Sequence, residues 1–442
     1  MLPEYLAKAV PNPASKRAPW YANTAPTYAG IFLWIAFYNQ IAGATLAHAS
    51  LAVCLAALLV AALLCYALYY KVPAMLGMQT GYPLYVVGSS TFGTAGGYLM
   101  PGLLMGLLQI GWFAVATFVA TDFILKGVGM KDGPGSMAFI VIGTIWGLTL
   151  SFAGAKGIQY VAKIATFLNF IPLLMLLAVV FQTAGGVSNF HPAEPQNSYL
   201  AFTSVIAIVI GFFATAGAAG ADFGMNARDE NDVKWGGLVG IALAVLIAGG
   251  LPLISVAGAH GANLSQGWDY ADVIQGIGGP LGSIMFLLFA VASVPSTCFC
   301  AFIAGNSFNT MIPSVPRVAS TMSAAVVGII LAVSGVAANL ISFFTIVGAS
   351  FGPIIGAMAA DYLLSGRRWP GPREGVNLAG YIAWAAGFVV GILPFLPLSA
   401  EMKVYSQPAV LYSFIVGFGV YYLLAKMGMQ PKTVPMAVAM AK

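Results

Sequence analysis

The sequence predicts an all-α polytopic membrane protein of about twelve transmembrane helices, and three observations carry that expectation. Hydrophobic residues make up 60% of the 442 residues and charged residues only 7%, whereas a soluble domain carries about 25% charged residues. Mean hydropathy is +0.89, and the apolar residues gather into runs of about 20, the length that crosses a bilayer. The basic residues fall almost entirely on one side of those runs. A formal charge of +5 distributed this way does not suggest nucleic acid as a partner; the lipid bilayer is the expected surrounding.

Glycine, proline and charged residues punctuate the runs into spans 27–46, 51–70, 98–125, 137–155, 158–184, 199–221, 235–258, 281–304, 318–335, 338–364, 378–398 and 408–426. With the N-terminus inside, fifteen of the eighteen Lys and Arg residues lie in inner segments, and only Lys126, Lys131 and Lys403 lie outside. The positive-inside rule therefore predicts cytoplasmic termini and a multi-pass protein of the inner (plasma) membrane. The first 26 residues lack the basic, apolar and small-residue pattern of a cleavable signal peptide, so none is expected. Cys54, Cys65, Cys298 and Cys300 read as small buried hydrophobes, and His48, His191 and His260 are too scattered to suggest a metal site.

Two spans suit a continuous helix poorly. FYNQIAG in the first places Asn39 and Gln40 at mid-membrane, and GFFATAGAAG in the sixth, Gly211 to Gly220, holds three glycines and Thr215. Interrupted helices at matching places in two five-helix halves point to a transporter binding site; close glycine packing between helices would explain the sixth span equally well. In the third span Gln109, Trp112 and Ala116 share one helical face. A deep tryptophan beside a glutamine suits a stacking platform with a hydrogen-bonding arm, or plain inter-helix packing.

In the eighth span Ser293, Ser296, Thr297 and Cys300 share a face, and Pro295 cannot donate to the Val291 carbonyl. Hydroxyls and freed carbonyls are hard oxygen ligands for an alkali cation, although serine and threonine also bond back to their own helix. Asp122, Asp222 and Asp361 lie near helix ends, and the cluster ARDENDVK reads as a solvated turn. A proton-coupled carrier generally needs a titratable group near the midplane, so the carboxylate positions favour Na⁺ as coupling ion, with H⁺ the alternative.

Three segments together carry a resemblance: LQIGWFA in the third span, GFFATAGAAGADF in the sixth, and ASFGPIIGAMAADYLLSGRRW in the tenth. Over about residues 25 to 370 the chain resembles the nucleobase–cation symporter family, which includes cytosine permeases and a bacterial hydantoin transporter. The resemblance implies two inverted five-helix repeats with broken helices one and six, two further helices, and Na⁺- or H⁺-coupled uptake. It implies that Trp112 and Phe213 sandwich the substrate ring and that Gln109 and Thr215 lie beside it, with Gly211, Phe212, Ser293, Asn39 and Gln40 also at the site. It implies a sodium site of Ser296, Thr297, the Ser293 carbonyl and helix-one backbone near Phe37. Cytosine permeases carry serine where this chain has Phe212, and asparagines where it has Ser293 and Cys298, so a different ring from cytosine is expected.

The implied organisation is a cytoplasmic segment 1–26, a transport core 27–364 with repeats 27–184 and 199–364, a cytoplasmic loop 365–377, two helices within 378–426, and a tail 427–442. No cofactor is expected besides the coupling ion. A channel would favour repeated filter sequences, and an enzyme would need a nucleophile–base set or metal cluster; neither is visible. A receptor that does not transport stays open.

Overall fold

The computed structural model describes residues 2–193, 196–312 and 314–436, with the side chains of 158–160, 162–164, 166 and 310 outside that description. Lys442 and the side chain of Lys163, both used in the charge argument, therefore lie outside the described residues. Among the described residues nine helices are long and apolar enough to cross a membrane, and two shorter apolar helices accompany them. No β-strand forms among them. In hydrocarbon a backbone must satisfy itself, and for a chain this apolar helices are the solution.

The first span is broken. Helix α1 (Thr24–Phe32) and the single turn α2 (Ile35–Tyr38) flank Trp34, which is extended at φ −73° and ψ 128°. Beyond Tyr38 the chain proceeds in turns to residue 50 instead of continuing as helix to 46, because Asn39 is bonded by a neighbouring loop. Helix α3 (Leu51–Thr80) outruns the expected end at 70, since nothing stops it before Gly81 at φ 73°. Helix α4 (Leu99–Gly127) follows. Helix α5 (Met137–Leu168) merges the fourth span with the start of the fifth, and Gly157 (φ −139°, ψ 33°) bends it where a boundary was expected.

After α6 (Phe170–Asn189), the sixth span divides into α7 (Ser198–Ala218) and α8 (Gly220–Gly224) around Ala219. Helix α9 (Glu230–Gly261) is followed by a short helix α10 (Tyr270–Ile277). The eighth span is α11 (Gly279–Ala292) and α12 (Val294–Met311), separated at Ser293 just ahead of Pro295. Helices α13 (Arg317–Val333), α14 (Leu340–Leu364), α15 (Leu378–Gly391) and α16 (Ala409–Lys426) complete the chain. Uniformly apolar helices carry little periodicity, so polar caps mark their starts: the side chains of Ser136, Asn197, Asp229 and Asn339 each accept from a backbone N–H three residues on.

Two polar clusters are more structural than their sequences suggest. In ARDENDVK, Arg228 to Asn231 and Lys234 are exposed, as a solvated turn requires, but one of its carboxylates is not. Asp232 is buried, pairs with Arg228 at 2.6 Å, and accepts from the Trp20 backbone N–H at 3.0 Å, tying the N-terminal segment to α9. At the end of α14, Asp361 pairs with Arg373 at 2.8 Å, and the two are 1% and 5% exposed. Arg373 Nη1 donates to the Ser90 carbonyl, while Gln430 Nε2 donates to Tyr421 Oη at 2.9 Å and to Asp361 at 3.4 Å. Backbone bonds from Glu374 to the Lys432 carbonyl (2.9 Å) and from Val434 to the Pro372 carbonyl (2.8 Å) close the clamp over the tail.

Glycine lets the central helices touch. A Cβ at Gly224 would overlap the Ala74 carbonyl, and one at Gly211 would lie 2.5 Å from the Phe344 carbonyl oxygen. The packing explanation of the sixth span's glycines therefore holds together with the helix interruption at Ala219.

Candidate functional site

Trp112, on α4, is 5% exposed and stands at the middle of an aromatic box. Its ring centroid lies 5.7 Å from Trp34, 5.2 Å from Phe212, 4.9 Å from Phe343 and 5.6 Å from Phe344. Local sequence creates the approach. Gly111 leaves room for the Phe343 ring, which a Cβ there would overlap, and Gly211 lets α7 close on α14 so that Phe212 reaches the box. Thr215, one turn along α7, accepts from Trp112 Nε1 at 3.2 Å.

Phe213 does not face Trp112. Consecutive helical side chains diverge by about 100°, and with Phe212 in the box Phe213 turns toward α1. There it stacks on Phe32 at 5.5 Å and 19°, with Tyr28 at 5.7 Å. The structure thus places Phe212 opposite Trp112, where the resemblance implied Phe213. Phe37 also packs on Phe212, at 4.9 Å.

Two buried polar atoms around the box lack partners. Gln109 Nε2 reaches Met105 Sδ at 3.6 Å, but its Oε1 is unbonded, as is Trp34 Nε1. Trp34, Phe343 and Phe344 were not singled out from the sequence. Within apolar spans nothing distinguishes an inward aromatic from a lipid-facing one, although Trp34, five residues before Asn39, marks the break itself.

Asn39 and Gln40 lie away from the box and are already engaged. Asn39 accepts from the Tyr270 N–H through its carbonyl at 2.8 Å and from the Ala271 N–H through Oδ1 at 3.0 Å. It therefore caps α10, and its Nδ2 is 3.5 Å from Asp269. Gln40 Nε2 donates to the Ala338 carbonyl at 3.3 Å. Both tie the end of the broken helix to loops, because the helix ends at Tyr38 and releases them. Asp269 is pushed up to about 6 by burial first and by the charge of Asp272 next, with Asp122 adding to the rise and Lys126 opposing it.

The hydroxyl group on α12 is compact. Ser296 Oγ and Thr297 Oγ1 both donate to the Ser293 carbonyl, at 3.0 and 2.9 Å, while Ser293 Oγ donates to the Ala290 carbonyl at 2.7 Å. Back-bonding, one of the two sequence readings, is what this conformation shows. It also gathers three neutral oxygens at the helix break. Among the described residues no group of three or more His, Cys, Asp or Glu side chains could hold a metal ion.

With this geometry in hand, known proteins can be compared. A family described as permease for cytosine/purines, uracil, thiamine and allantoin matches residues 10–417. The cytosine permease of Escherichia coli K12 is 26% identical over 333 residues, 73% of this chain and 74% of that one. A putative allantoin permease of the same strain is 22% identical over 407 residues, 81% of each. Among solved structures, the nucleobase-cation-symport-1 family transporter Mhp1, closed with bromovinylhydantoin bound, superposes with TM-score 0.68 at 17% identity, covering 96% of both chains. A Na⁺-coupled sialic acid symporter in a substrate-bound outward-open state gives 0.56 at 14% identity, covering 95% of this chain and 92% of that one. Those two share the fold. The chain belongs to the family of permeases for cytosine/purines, uracil, thiamine and allantoin, and is a multi-pass membrane transporter, not an enzyme.

Proposed function

We propose that this transporter imports a nucleobase or related small flat heterocycle by cation-coupled symport, with Na⁺ as the driving ion. The observation that carries the reading is the aromatic box at the break between α1 and α2. Flat aromatic faces suit a planar ring, and the unbonded Gln109 Oε1 suits a ring N–H. In the present conformation Trp112 and Phe212 touch directly, so a ring enters by displacing Phe212 or Phe344 from the indole. Phe212 fills volume that a polar ring edge would need, which argues against cytosine.

The three breaks, at Trp34, Ala219 and Ser293, are where backbone dihedrals change most easily, and they serve as hinges for alternating access. Two inverted repeats, 27–184 and 199–364, rocking about these hinges account for the matching breaks. The termini and the 365–377 loop face the cytoplasm across the inner membrane. Ser296 Oγ, Thr297 Oγ1 and the Ser293 carbonyl fit a hard monovalent cation, being neutral oxygens brought within one turn; helix-one backbone near Phe37 supplies the remaining ligands. Proton coupling is the second reading, favoured by Asp269, whose carboxyl burial pushes up to about 6 beside Asn39.

Uptake into proteoliposomes under separately imposed gradients tests the proposal. A Na⁺ gradient should drive accumulation of a radiolabelled ring, and choline should not replace it. Uptake that ignores Na⁺ and collapses with the pH gradient would establish the proton reading instead.

A further inference from the structure

Of the tryptophans whose bonding is seen, Trp112 donates to Thr215 at 3.2 Å, Trp369 to the Val87 carbonyl at 3.0 Å, and Trp384 to the Ser350 carbonyl at 3.0 Å. Trp34 and Trp146 differ, each with an Nε1 buried without a partner, and of the two it is Trp34 whose ring packs into the box, against Trp112 at 5.7 Å and Phe212 at 6.3 Å. Its backbone is extended at the helix break, so the side chain projects from a point where the chain itself bends. Buried donors in proteins are nearly always paired, and an unpaired one lining an aromatic box is a vacancy for an acceptor. The unbonded Gln109 Oε1 is a matching vacancy for a donor. Trp34, Trp112, Phe212, Phe344, Gln109 and Thr215 are all without charge, so the complementary ligand is neutral.

We infer that Trp34 determines specificity at this site: its indole N–H donates to a ring carbonyl while Gln109 Oε1 accepts from a ring N–H, selecting neutral rings with a lactam or imide edge. The inference rests on the proposal that the box is the heterocycle site. The N3/amino edge of cytosine presents a ring nitrogen and an amino group and satisfies the two vacancies less well, whereas its N1–H/C2=O edge is itself a lactam edge; uracil and hydantoin offer a carbonyl beside a ring N–H on more than one edge. The indole's position at the hinge also means that engaging a carbonyl there holds α1 and α2 in one relative orientation.

The test measures affinity on the purified full chain in nanodiscs for uracil, its thioxo analogues, its N-methylated derivatives and hydantoin. Trp34→Phe keeps an aromatic ring and removes only the N–H. It should weaken uracil and hydantoin about tenfold, the usual scale of one hydrogen bond, and narrow the preference for oxo over thioxo rings, since sulfur is the weaker acceptor. N-methylation should cost the wild-type chain more than Gln109→Leu, which has no acceptor left to lose. Unchanged uracil affinity in Trp34→Phe, or an equal loss for oxo and thioxo rings, would overturn the assignment while leaving the heterocycle site standing. Binding by Trp112→Ala as tight as wild type would move the site itself, and absence of binding by the wild-type chain would overturn the function and this inference together.

Discussion

Asp361 and Arg373 form a buried pair, and removing either partner alone should be expensive. At 2.8 Å and with the two residues 1% and 5% exposed, neither charge has solvent to fall back on. Asp361→Asn leaves the guanidinium with the Ser90 carbonyl and Tyr421 as neutral partners. Breaking such a pair costs about 3–5 kcal/mol, most of it from the charge left behind. Arg373→Gln should cost a similar amount through the stranded carboxylate, which keeps Gln430 and Thr91. The double substitution removes both charges and should cost clearly less than the sum of the singles, with a coupling of about 2–3 kcal/mol. Unfolding of the four chains in mixed micelles, read by tryptophan fluorescence, gives the cycle. Single substitutions costing under about 1 kcal/mol, or additivity within about 0.5 kcal/mol, would show that the pair is solvated and the burial argument wrong.

Further expectations concern packing, protonation, the ion and orientation. Gly224→Ala pushes a methyl into the Ala74 carbonyl and should destabilise by about 1–3 kcal/mol, whereas Gly419→Ala meets nothing within 4 Å and should be neutral or slightly stabilising in thermal melts; equal effects would refute the close approach of α3 and α8. Burial in the packed loop, with Asp272 beside it, holds Asp269 above its free value of about 4, so packing of this loop is fully supported in acid and weakens as pH rises through about 6. Amide exchange over 265–275 should accordingly be slower at pH 5 than at pH 7.5, after correction for intrinsic rates, and Asp269→Asn should flatten that dependence. Na⁺ and substrate should tighten each other by one common factor, and Ser296→Ala with Thr297→Ala should abolish that factor in equilibrium binding while leaving Na⁺-free affinity nearly intact. A cysteine at Arg367 should react with an impermeant reagent only from the cytoplasmic face; labelling from outside would invert the topology.

Composition and the apolar runs made the helical membrane fold legible, because hydrocarbon leaves a chain few alternatives. Ends were less legible where the stop is a single residue's conformation. Gly81 ends α3 ten residues beyond Lys71, and Gly157 leaves helical geometry inside α5, where the boundary between the fourth and fifth spans was expected. At the site, Trp112, Gln109 and Thr215 emerged from helical spacing and resemblance, and the structure groups the first and last directly. The resemblance put Phe213 opposite Trp112, whereas the structure puts Phe212 there, since their rotation about α7 follows from Gly211 against Phe344, a contact across 133 residues. Asn39 and Gln40 drew attention as polar residues at mid-span, yet the early end of the broken helix carries them to loops. Phe343 and Phe344 had no polar signal at all.

The clamp at the end of α14 also bears on how the protein is made. Asp361 is bonded to Tyr421's partner Gln430, a residue 69 positions further along. At about 5–20 residues per second of synthesis, several seconds pass between translation of the carboxylate and translation of that amide. During that interval Arg373, the carboxylate's ion-pair partner, is already made, whereas Gln430 is not. The nascent chain thus carries an early, local partner that protects the membrane insertion step, and a late one that registers completion. Shortened products ending before residue 430 would keep the helices and lose the seal, giving cellular quality control a concrete difference by which to tell finished from unfinished chains.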